Sequence, residues 1–208
     1  KDFFIEPEEP DKGLPKELPD PGSKVFVEYL MTDGYAAYDQ VAKLINATRM
    51  NCWAHARRKF FYASHSNDEA KEIVHLIDDL YRIERDVHYQ SLIESWPYFR
   101  LVKERHARRQ GLSKDKIDFI EKRLHEIQIY AAPKSTLGKA CSYCIKNLKA
   151  QRVYLKDGRL PIDNNAVERS MRPIAVGRKN YLFVGSENAG QWAAICYTIL
   201  ENCRMNKL

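Results

Sequence analysis

The apolar run VFVEYLM, residues 25–31, constrains the fold more than any other stretch of this chain. It is almost continuously apolar and rich in strand-forming residues, which predicts a strand buried on both faces. Asp33 and Gly34 follow the run at once. The carboxylate at this strand exit has two interpretations, because it either starts a turn or ligates a metal ion.

Composition and periodicity divide the chain into four parts. The first holds five of the nine prolines and is rich in acids, which predicts an extended arm or linker. Strand and helix patterns follow, then a long stretch with helical periodicity, then a segment with turns, basic residues and a closing helix. The four parts are residues 1–24, 25–63, 64–154 and 155–208. Together they predict an α/β protein that is mostly helical.

Local signals place the elements within the second and third parts. The pattern predicts a helix at 37–46 and a short strand around 49–53 that passes into another helix. In the long helical stretch, residues that commonly cap helices precede the apolar stripes. The predicted caps are Asn67, Ser113, and Ser135 or Thr136.

The last part is the densest in signals. A turn at Asp157–Gly158 precedes a short helix that carries Glu168, with Asp163 or Asn164 as its N-cap. A basic loop at 172–180 then leads into the apolar YLFVG. The closing helix begins near Glu187 and is predicted to turn one stripe inward, formed by Trp192, Ile195, Cys196, Ile199 and Cys203.

Bulk properties limit the class of protein. The 208 residues suit one sizeable domain, or one domain with a large insertion. A net charge of +6 and a pI of about 9.0 suit a polyanionic partner. No apolar run reaches the length of a membrane span, and no secretory signal is visible. The five cysteines, an odd number, favour reduced thiols in a cytosolic compartment.

Two acids fit metal-dependent phosphoryl transfer, which needs carboxylates that converge from different elements. Asp33 lies at a strand end, and Glu168 lies one turn into a helix. We expect the two carboxylates to lie within roughly 8 Å of each other, on a site of this kind. The strand before Asp33 should then be central, and Tyr35 and Tyr38 should pack beneath the following helix. The structural alternatives are a turn residue for Asp33 and a helix-dipole or arginine partner for Glu168.

Several motifs resemble the catalytic region of the insertion-sequence-66 family of bacterial transposases. They are MTDGYAAYDQ, CWAHARRKFF, DNNAVERSMRPIAVGRKNYLFVGSENAG and the closing helix, and they span about Val25 to Asn206. The resemblance implies a DDE transposase with a ribonuclease-H-like fold, in which 64–154 is a large helical insertion. It maps the second acid of the triad to Asp33 and the final glutamate to Glu168. Such enzymes nick transposon ends with metal-bound water, and the freed 3′-hydroxyl then attacks target DNA.

The resemblance also implies a cofactor, partners and a location. The cofactor is Mg²⁺ or Mn²⁺, and the partner is double-stranded DNA, both transposon ends and target. The expected location is the bacterial cytoplasm at the nucleoid, with no membrane association. A homo-oligomer is a further expectation.

One part of the family pattern is missing from this sequence. The first aspartate should lie on an early strand in an Asp-Glu-Thr context, and no such triplet occurs here. The predicted fold is therefore a partial ribonuclease-H-like fold, and the isolated chain is expected not to cleave DNA. The alternative function is a non-catalytic DNA-binding or regulatory fragment of a transposase.

Cysteine and histidine spacing leaves a zinc site open. Cys52 and His55 in CWAH, with Cys141 and Cys144 in CSYC, could form a tetrahedral site. Cys141 and Cys144 also fall on an apolar helical stripe, so buried thiols are the favoured interpretation over zinc. For Cys52 and His55 the resemblance implies structural support of the active-site region. The residues Asn164 and Asn165, before the Glu168 helix, are assigned the same supporting role.

Basic clusters predict contacts with DNA phosphates, against the alternative of an ordinary solvated face. One cluster lies in HARRKF and the other in ERSMRPIAVGRKN, where Gly177 permits close approach. RHARRQ, residues 105–110, is a weaker candidate for a second patch on the insertion. The predicted DNA-binding residues are Arg57, Arg58, Lys59, Arg169, Arg172, Arg178 and Lys179.

Overall fold

The computed structural model describes residues 27–35, 37–181 and 185–205. These residues belong to two compact units, and the boundary between the units falls between Asn164 and Asn165. The protein is mostly helical, with one small parallel sheet in the larger unit. The arm predicted at 1–24 lies outside the described residues. Within the described ranges, no helix combines the length and apolar character that a membrane crossing requires.

A strand–helix–strand unit opens the larger unit. Strand β1 spans Tyr29–Thr32, helix α1 spans Ala37–Leu44 and strand β2 spans Thr48–Asn51. The strands are parallel, because the chain crosses over through α1 before it pairs again. Thr32 pairs with Asn51, so both strands end at the same edge of the sheet. Asp33 and Cys52 therefore leave the sheet as neighbours.

The first strand is less buried than the sequence predicts. Tyr29, Leu30 and Met31 are partly exposed, whereas Thr32 is buried, so β1 is not covered on both faces. Among the described residues the sheet has two strands, and β1 has β2 as its one neighbour there. These residues therefore do not make β1 central. A single pairing and one short crossover helix cannot bury a strand from both sides.

Five α-helices complete the larger unit. They enclose a core to which β2 contributes Met50 and α2 contributes Trp53 and Phe60. A 3₁₀ helix at Arg152–Lys156 follows the last of them. The helices are α2 (Trp53–Ala63), α3 (Asp68–Ile93), α4 (Tyr98–Arg108), α5 (Lys114–Tyr130) and α6 (Thr136–Gln151).

Two of the three predicted N-cap positions are confirmed by the structure. Asn67 occupies the N-cap position of α3, and Ser135 caps α6 by accepting a hydrogen bond from the N–H of Gly138 at 3.0 Å. Ser113 is not a cap, because it lies in a π-helical turn, Arg109–Ser113, that joins α4 directly to α5. The extra residue per turn in a π-helix lets one continuous helix change the direction of its side chains.

The smaller unit contains helices α7 (Asn165–Tyr181) and α8 (Glu187–Met205). The loop predicted at 172–180 is wrong, because α7 continues through it despite Pro173 in its interior. The predicted burial of the α8 stripe is also wrong: Trp192 is 67 % exposed and Ile199 is 57 % exposed. Two helices are too few to enclose an apolar stripe.

Candidate functional site

Asp33 stands at the shared edge where both strands end. Its carboxylate is exposed, and Oδ1 accepts a hydrogen bond from the backbone N–H of Tyr35 at 3.0 Å. Gly34 between them has a φ of +93°, which favours glycine. Asp33 thus starts a turn, as one interpretation required. The turn presents its carboxylate at the surface, which the metal-ligand interpretation also requires.

Tyr143 of α6 closes the underside of this turn. Its hydroxyl donates a 2.5 Å hydrogen bond to the backbone carbonyl of Asp33 and accepts one from Asn51 Nδ2 at 3.5 Å. A Cβ at Gly34 would lie 2.7 Å from that hydroxyl, so a side chain there would collide with it. Burial, as the largest cause, raises the pKa of Tyr143, which keeps the hydroxyl a donor at neutral pH. The helical insertion therefore reaches the strand exit directly.

The two strand ends are locked together by side chains. Thr32 is buried, and its hydroxyl donates to the carbonyl of Met50 at 3.3 Å and accepts from Arg49 Nε at 3.1 Å. Arg49 also pairs with Asp39 of α1. Asn51 is 1 % exposed. These contacts fix the register of the last strand residues, and so the place at which Asp33 emerges.

Tyr35 and Tyr38 do not pack beneath α1. Tyr35 is 67 % exposed and Tyr38 is 41 % exposed. Their rings meet edge to face at the surface, with centroids 6.2 Å apart. The prediction of a supporting role was wrong because α1 buries little: Ala42 is its buried residue.

Cys52 holds the far end of the larger unit against the strand edge. The backbone N–H groups of Asn164 and His55 face its sulfur and lower its pKa, but burial is the larger cause and raises it overall. Next to it, the N–H of Trp53 donates to the carbonyl of Ile162 at 3.2 Å. The segment that ends at Asn164 is therefore fixed at the start of α2.

Asp163 gives the same segment a third attachment. Its Oδ2 accepts a 2.9 Å hydrogen bond from the hydroxyl of Tyr81 on α3. Tyr81 is partly buried, and burial followed by the charge of Asp163 raises its pKa well above the ordinary value. Helices α2 and α3, together with Cys52 between β2 and α2, thus hold the three residues before Asn165.

A buried ion pair fixes the preceding loop. Arg109, 1 % exposed, binds Glu84 of α3 through two hydrogen bonds of 2.7 and 2.8 Å. It also donates to the carbonyls of Tyr154, Asp157 and Leu160, at 2.8, 2.6 and 2.9 Å. The loop has no strand or helix partners for these carbonyls, so the guanidinium satisfies them.

The predicted basic patch at 105–110 is corrected by this geometry. Arg105 and Arg109 are buried, and Arg105 lies 3.5 Å from Glu84 and donates to the carbonyl of Gly158. Arg108 is hydrogen-bonded to Gln90. Arg105 and Arg109 organise the interior of the insertion because, at i+4 spacing, they continue the buried face of α4 that Leu101 begins.

The basic residues of α2 have different partners. Arg57 forms a bidentate pair with Asp78 of α3, with distances of 2.5 and 3.0 Å. The hydrogen bond to Asp78 is the largest cause that raises the pKa of Arg57. Arg58 and Lys59 are exposed, and the ammonium of Lys59 lies 4.6 Å from the ring centroid of Tyr143. Lys59 is thus a predicted DNA contact that lies beside the tyrosine bound to the Asp33 turn.

Glu168 lies in the first turn of α7. Arg172 and Lys179 fall on the same face of α7 as Glu168, at spacings of four and eleven residues from it, whereas Arg169 and Arg178 fall to either side of that face. Asp33 belongs to the larger unit and Glu168 to the smaller one. The predicted approach of their carboxylates therefore stays a prediction.

The cysteines proposed for zinc do not form a ligand cluster. Among the described residues, no group of three or more His, Cys, Asp and Glu side chains is placed to hold a metal ion. Cys141 and Cys144 are fully buried in the core, and burial raises their pKa values to about 11 and about 12. Both are therefore protonated thiols near neutral pH, in keeping with the interpretation as buried core thiols.

Comparison with known proteins gives this geometry its context. A family model described as "Transposase IS66 family" matches residues 13–192. The chain belongs to the IS66 transposase family. The predicted family is thereby confirmed. The matched range of this transposase chain contains Asp33, Tyr143 and Glu168, together with every basic residue discussed above.

Relatives in Sinorhizobium fredii extend beyond the range of this IS66 chain. It is 32 % identical over 190 residues to the uncharacterized protein y4qI, covering 87 % of the chain and 33 % of that protein. It is 30 % identical over 197 residues to the uncharacterized protein y4hP, covering 86 % of the chain and 34 % of that protein. The chain thus spans about a third of the length of these relatives. No solved structure matches it significantly.

Proposed function

We propose that this chain supplies Asp33 and Glu168 to the active site of a metal-dependent transposase, which cleaves DNA and transfers the strand to a target. The observation that carries the proposal is the anchoring of Asn164 at Cys52. Cys52 directly follows β2, and Asp33 directly follows the neighbouring strand, β1. Neighbouring strands lie about 4.8 Å apart.

Chain continuity supports the approach of the second acid. Glu168 is four residues after Asn164, and a helix rises about 1.5 Å per residue. The Cα of Glu168 is therefore about 6 Å along the chain direction of α7 from Asn164. A glutamate side chain adds several further ångströms of reach. This favours a site in which an acid from a strand end meets an acid from a helix.

The two carboxylates fit Mg²⁺ or Mn²⁺ better than zinc. Mg²⁺ prefers oxygen ligands and is commonly held by one or two carboxylates together with water and substrate phosphates. When bound, such an ion would polarise the phosphodiester and stabilise charge on its oxygens. The chain's own contribution is to hold Asp33 by its turn and by Tyr143, and to place Glu168 in a helical first turn.

The surrounding charges suit a DNA substrate. Arg172 and Lys179 share a helix face with Glu168, Arg169 lies next to that face, and Lys59 lies over Tyr143. Guanidinium and ammonium groups bind phosphate oxygens and carry no sequence information, so they would position the duplex. The parallel strands with their crossover helix are compatible with part of a ribonuclease-H-like fold.

Cleavage by the full-length protein tests this function. A labelled transposon-end duplex is incubated with Mg²⁺ or Mn²⁺ and with the wild type, Asp33→Asn or Glu168→Gln. Both variants should lose cleavage while they retain DNA affinity, because each removes one oxygen ligand and keeps the side-chain shape. Asp115→Asn, an exposed acid at the start of α5, is the control and should cleave normally. Normal cleavage by Asp33→Asn would refute the proposal, and DNA binding without cleavage by the wild type would favour the non-catalytic alternative.

A further inference from the structure

Helices α2 and α6 form a surface without acids. The two helices pack against each other, and neither contains Asp or Glu. Surface helices of soluble proteins usually carry both signs of charge. The other helices of the larger unit follow that rule: for example, α5 contains Asp115, Asp118 and Glu121 among its basic residues. The exposed charge on α2 and α6 is positive throughout.

The lysines of α6 flank the tyrosine that contacts Asp33. Lys139 lies four residues before Tyr143 and Lys146 three residues after it, so all three share one helix face. Lys149 continues the exposed row. From α2, Lys59 brings another ammonium to within 4.6 Å of the Tyr143 ring centroid. Positive charge is therefore concentrated around the residue whose hydroxyl binds the Asp33 carbonyl.

These lysines are not used to hold the fold. In the part of the chain that the structure describes, Lys139, Lys146 and Lys149 make no ion pair, although their side chains are exposed on a well-packed helix. Elsewhere the insertion pairs its cations: Lys116 binds Asp79 and Arg123 binds Glu72. An ammonium on a flexible stem, with no neighbouring carboxylate to compete, is suited to a phosphate partner.

We propose that α6 is one wall of the DNA-binding surface, on which Lys139 and Lys146 bind backbone phosphates on either side of Tyr143 and so hold the strand beside Asp33. This inference rests on the proposed function and extends it, because it assigns part of the substrate path to the helical insertion. The occupant is the phosphate backbone of DNA, bound without base recognition. Tyr143 contributes a rigid support between the two lysines and takes no chemical part.

Salt-dependent DNA binding tests the proposal independently of cleavage. Binding of the 208-residue chain to a duplex of mixed sequence is measured over a range of salt concentrations for the wild type and for Lys139→Gln/Lys146→Gln. Each lost phosphate contact lowers the slope of log affinity against log salt by about 0.9, so the double variant should lose about two. The matched control is Lys103→Gln/Lys122→Gln. This control removes the same amount of positive charge from two exposed positions, Lys103 on α4 and Lys122 on α5, each of which is next to a glutamate in the sequence. The slope should therefore stay nearly unchanged.

The outcomes separate this inference from the proposed function. Equal effects of the two double variants would overturn the role of α6, and cleavage by the full-length wild type would still stand. A wild-type chain that binds no duplex at low salt would overturn the α6 surface, whatever the cleavage assay shows. All four lysines are exposed, so none of these substitutions should unfold the chain. Circular dichroism of each variant checks that a change in DNA binding does not come from unfolding.

Discussion

The hydroxyl of Tyr143 binds the backbone carbonyl of Asp33 at 2.5 Å, across 110 residues of sequence. One partner lies on the last helix of the insertion and the other at the exit of the first strand. The helical insertion is therefore built into the candidate site. Its last helix determines how the chain leaves the sheet at the acid that we assign to catalysis.

Tyr143→Phe should destabilise the larger unit by about 1 kcal/mol, because it removes one hydroxyl that serves both Asp33 and Asn51. Urea unfolding measures the change. Tyr62→Phe is the control: Tyr62 is 65 % exposed on α2, and its loss of a hydroxyl should cost close to nothing. Equal stability of the two variants would show that the contact with Asp33 contributes nothing.

Gly34→Ala should be costly, for two reasons that add. Its φ of +93° disfavours any side chain, and a Cβ would lie 2.7 Å from the Tyr143 hydroxyl. We expect a loss of roughly 1–3 kcal/mol in the free energy of unfolding. Gly111→Ala is the control, because it lies in the π-helical turn with nothing within 4 Å of a new Cβ, and it should be neutral or stabilising.

A double variant separates the two reasons. Combining Gly34→Ala with Tyr143→Phe removes the atom nearest to the new Cβ and leaves the backbone conformation as before. The combined loss should then be smaller than the sum of the two single losses, because the collision is relieved in part. Simple additivity would mean that backbone strain accounts for the whole cost at Gly34.

Arg109→Met should cost about 3–5 kcal/mol, because it leaves the mostly buried Glu84 without its bidentate partner and removes the donor that Arg109 supplies to three backbone carbonyls. Thermal or urea unfolding of the chain measures it. Arg123→Met also breaks a bidentate arginine–glutamate pair, but that pair with Glu72 is much more accessible to solvent than the Arg109 pair and should be worth under about 1 kcal/mol. A similar cost for both substitutions would contradict a structural role of the buried pair.

Much of the fold followed from periodicity. The crossover helix and both strands were predicted near their observed places, because a nearly continuous apolar run marks a strand and helical spacing of apolar residues marks a helix. The error at 172–180 has an identifiable cause: Pro173 and Gly177 suggest a break, yet α7 continues through both. Local propensity is a weak guide where a long helix continues on both sides of a proline.

The contacts that build the site were not readable from the sequence. Arg105 and Arg109 look like a DNA-binding patch in RHARRQ, but both are buried against Glu84, which lies more than twenty residues away in the sequence. Tyr143 has no local signal either, because it lies between two core cysteines and gains its role from Asp33. Asp33 was found because a lone acid at the end of an apolar run is unusual whatever its partners are. Sequence patterns thus predict which surfaces are covered, but not which long-range polar partners meet.

The face of α7 on which a basic residue lies should decide its importance for cleavage. Arg172 is four residues after Glu168 and shares its face, whereas Arg178 lies on another face. If the duplex approaches Glu168, Arg172 can bind a phosphate next to the cleaved bond, and losing such a charge-assisted contact costs about 1.5–3 kcal/mol. Arg172→Gln should therefore slow cleavage by the full-length protein roughly tenfold or more, on that scale.

Arg178→Gln carries the same change of charge at an equally exposed position, and it should weaken cleavage far less. The rates are compared at saturating DNA, so that a general loss of affinity does not hide the difference. If both variants slowed cleavage equally, the two arginines would act only through net charge, and the face that carries Glu168 would have no special part in holding the substrate.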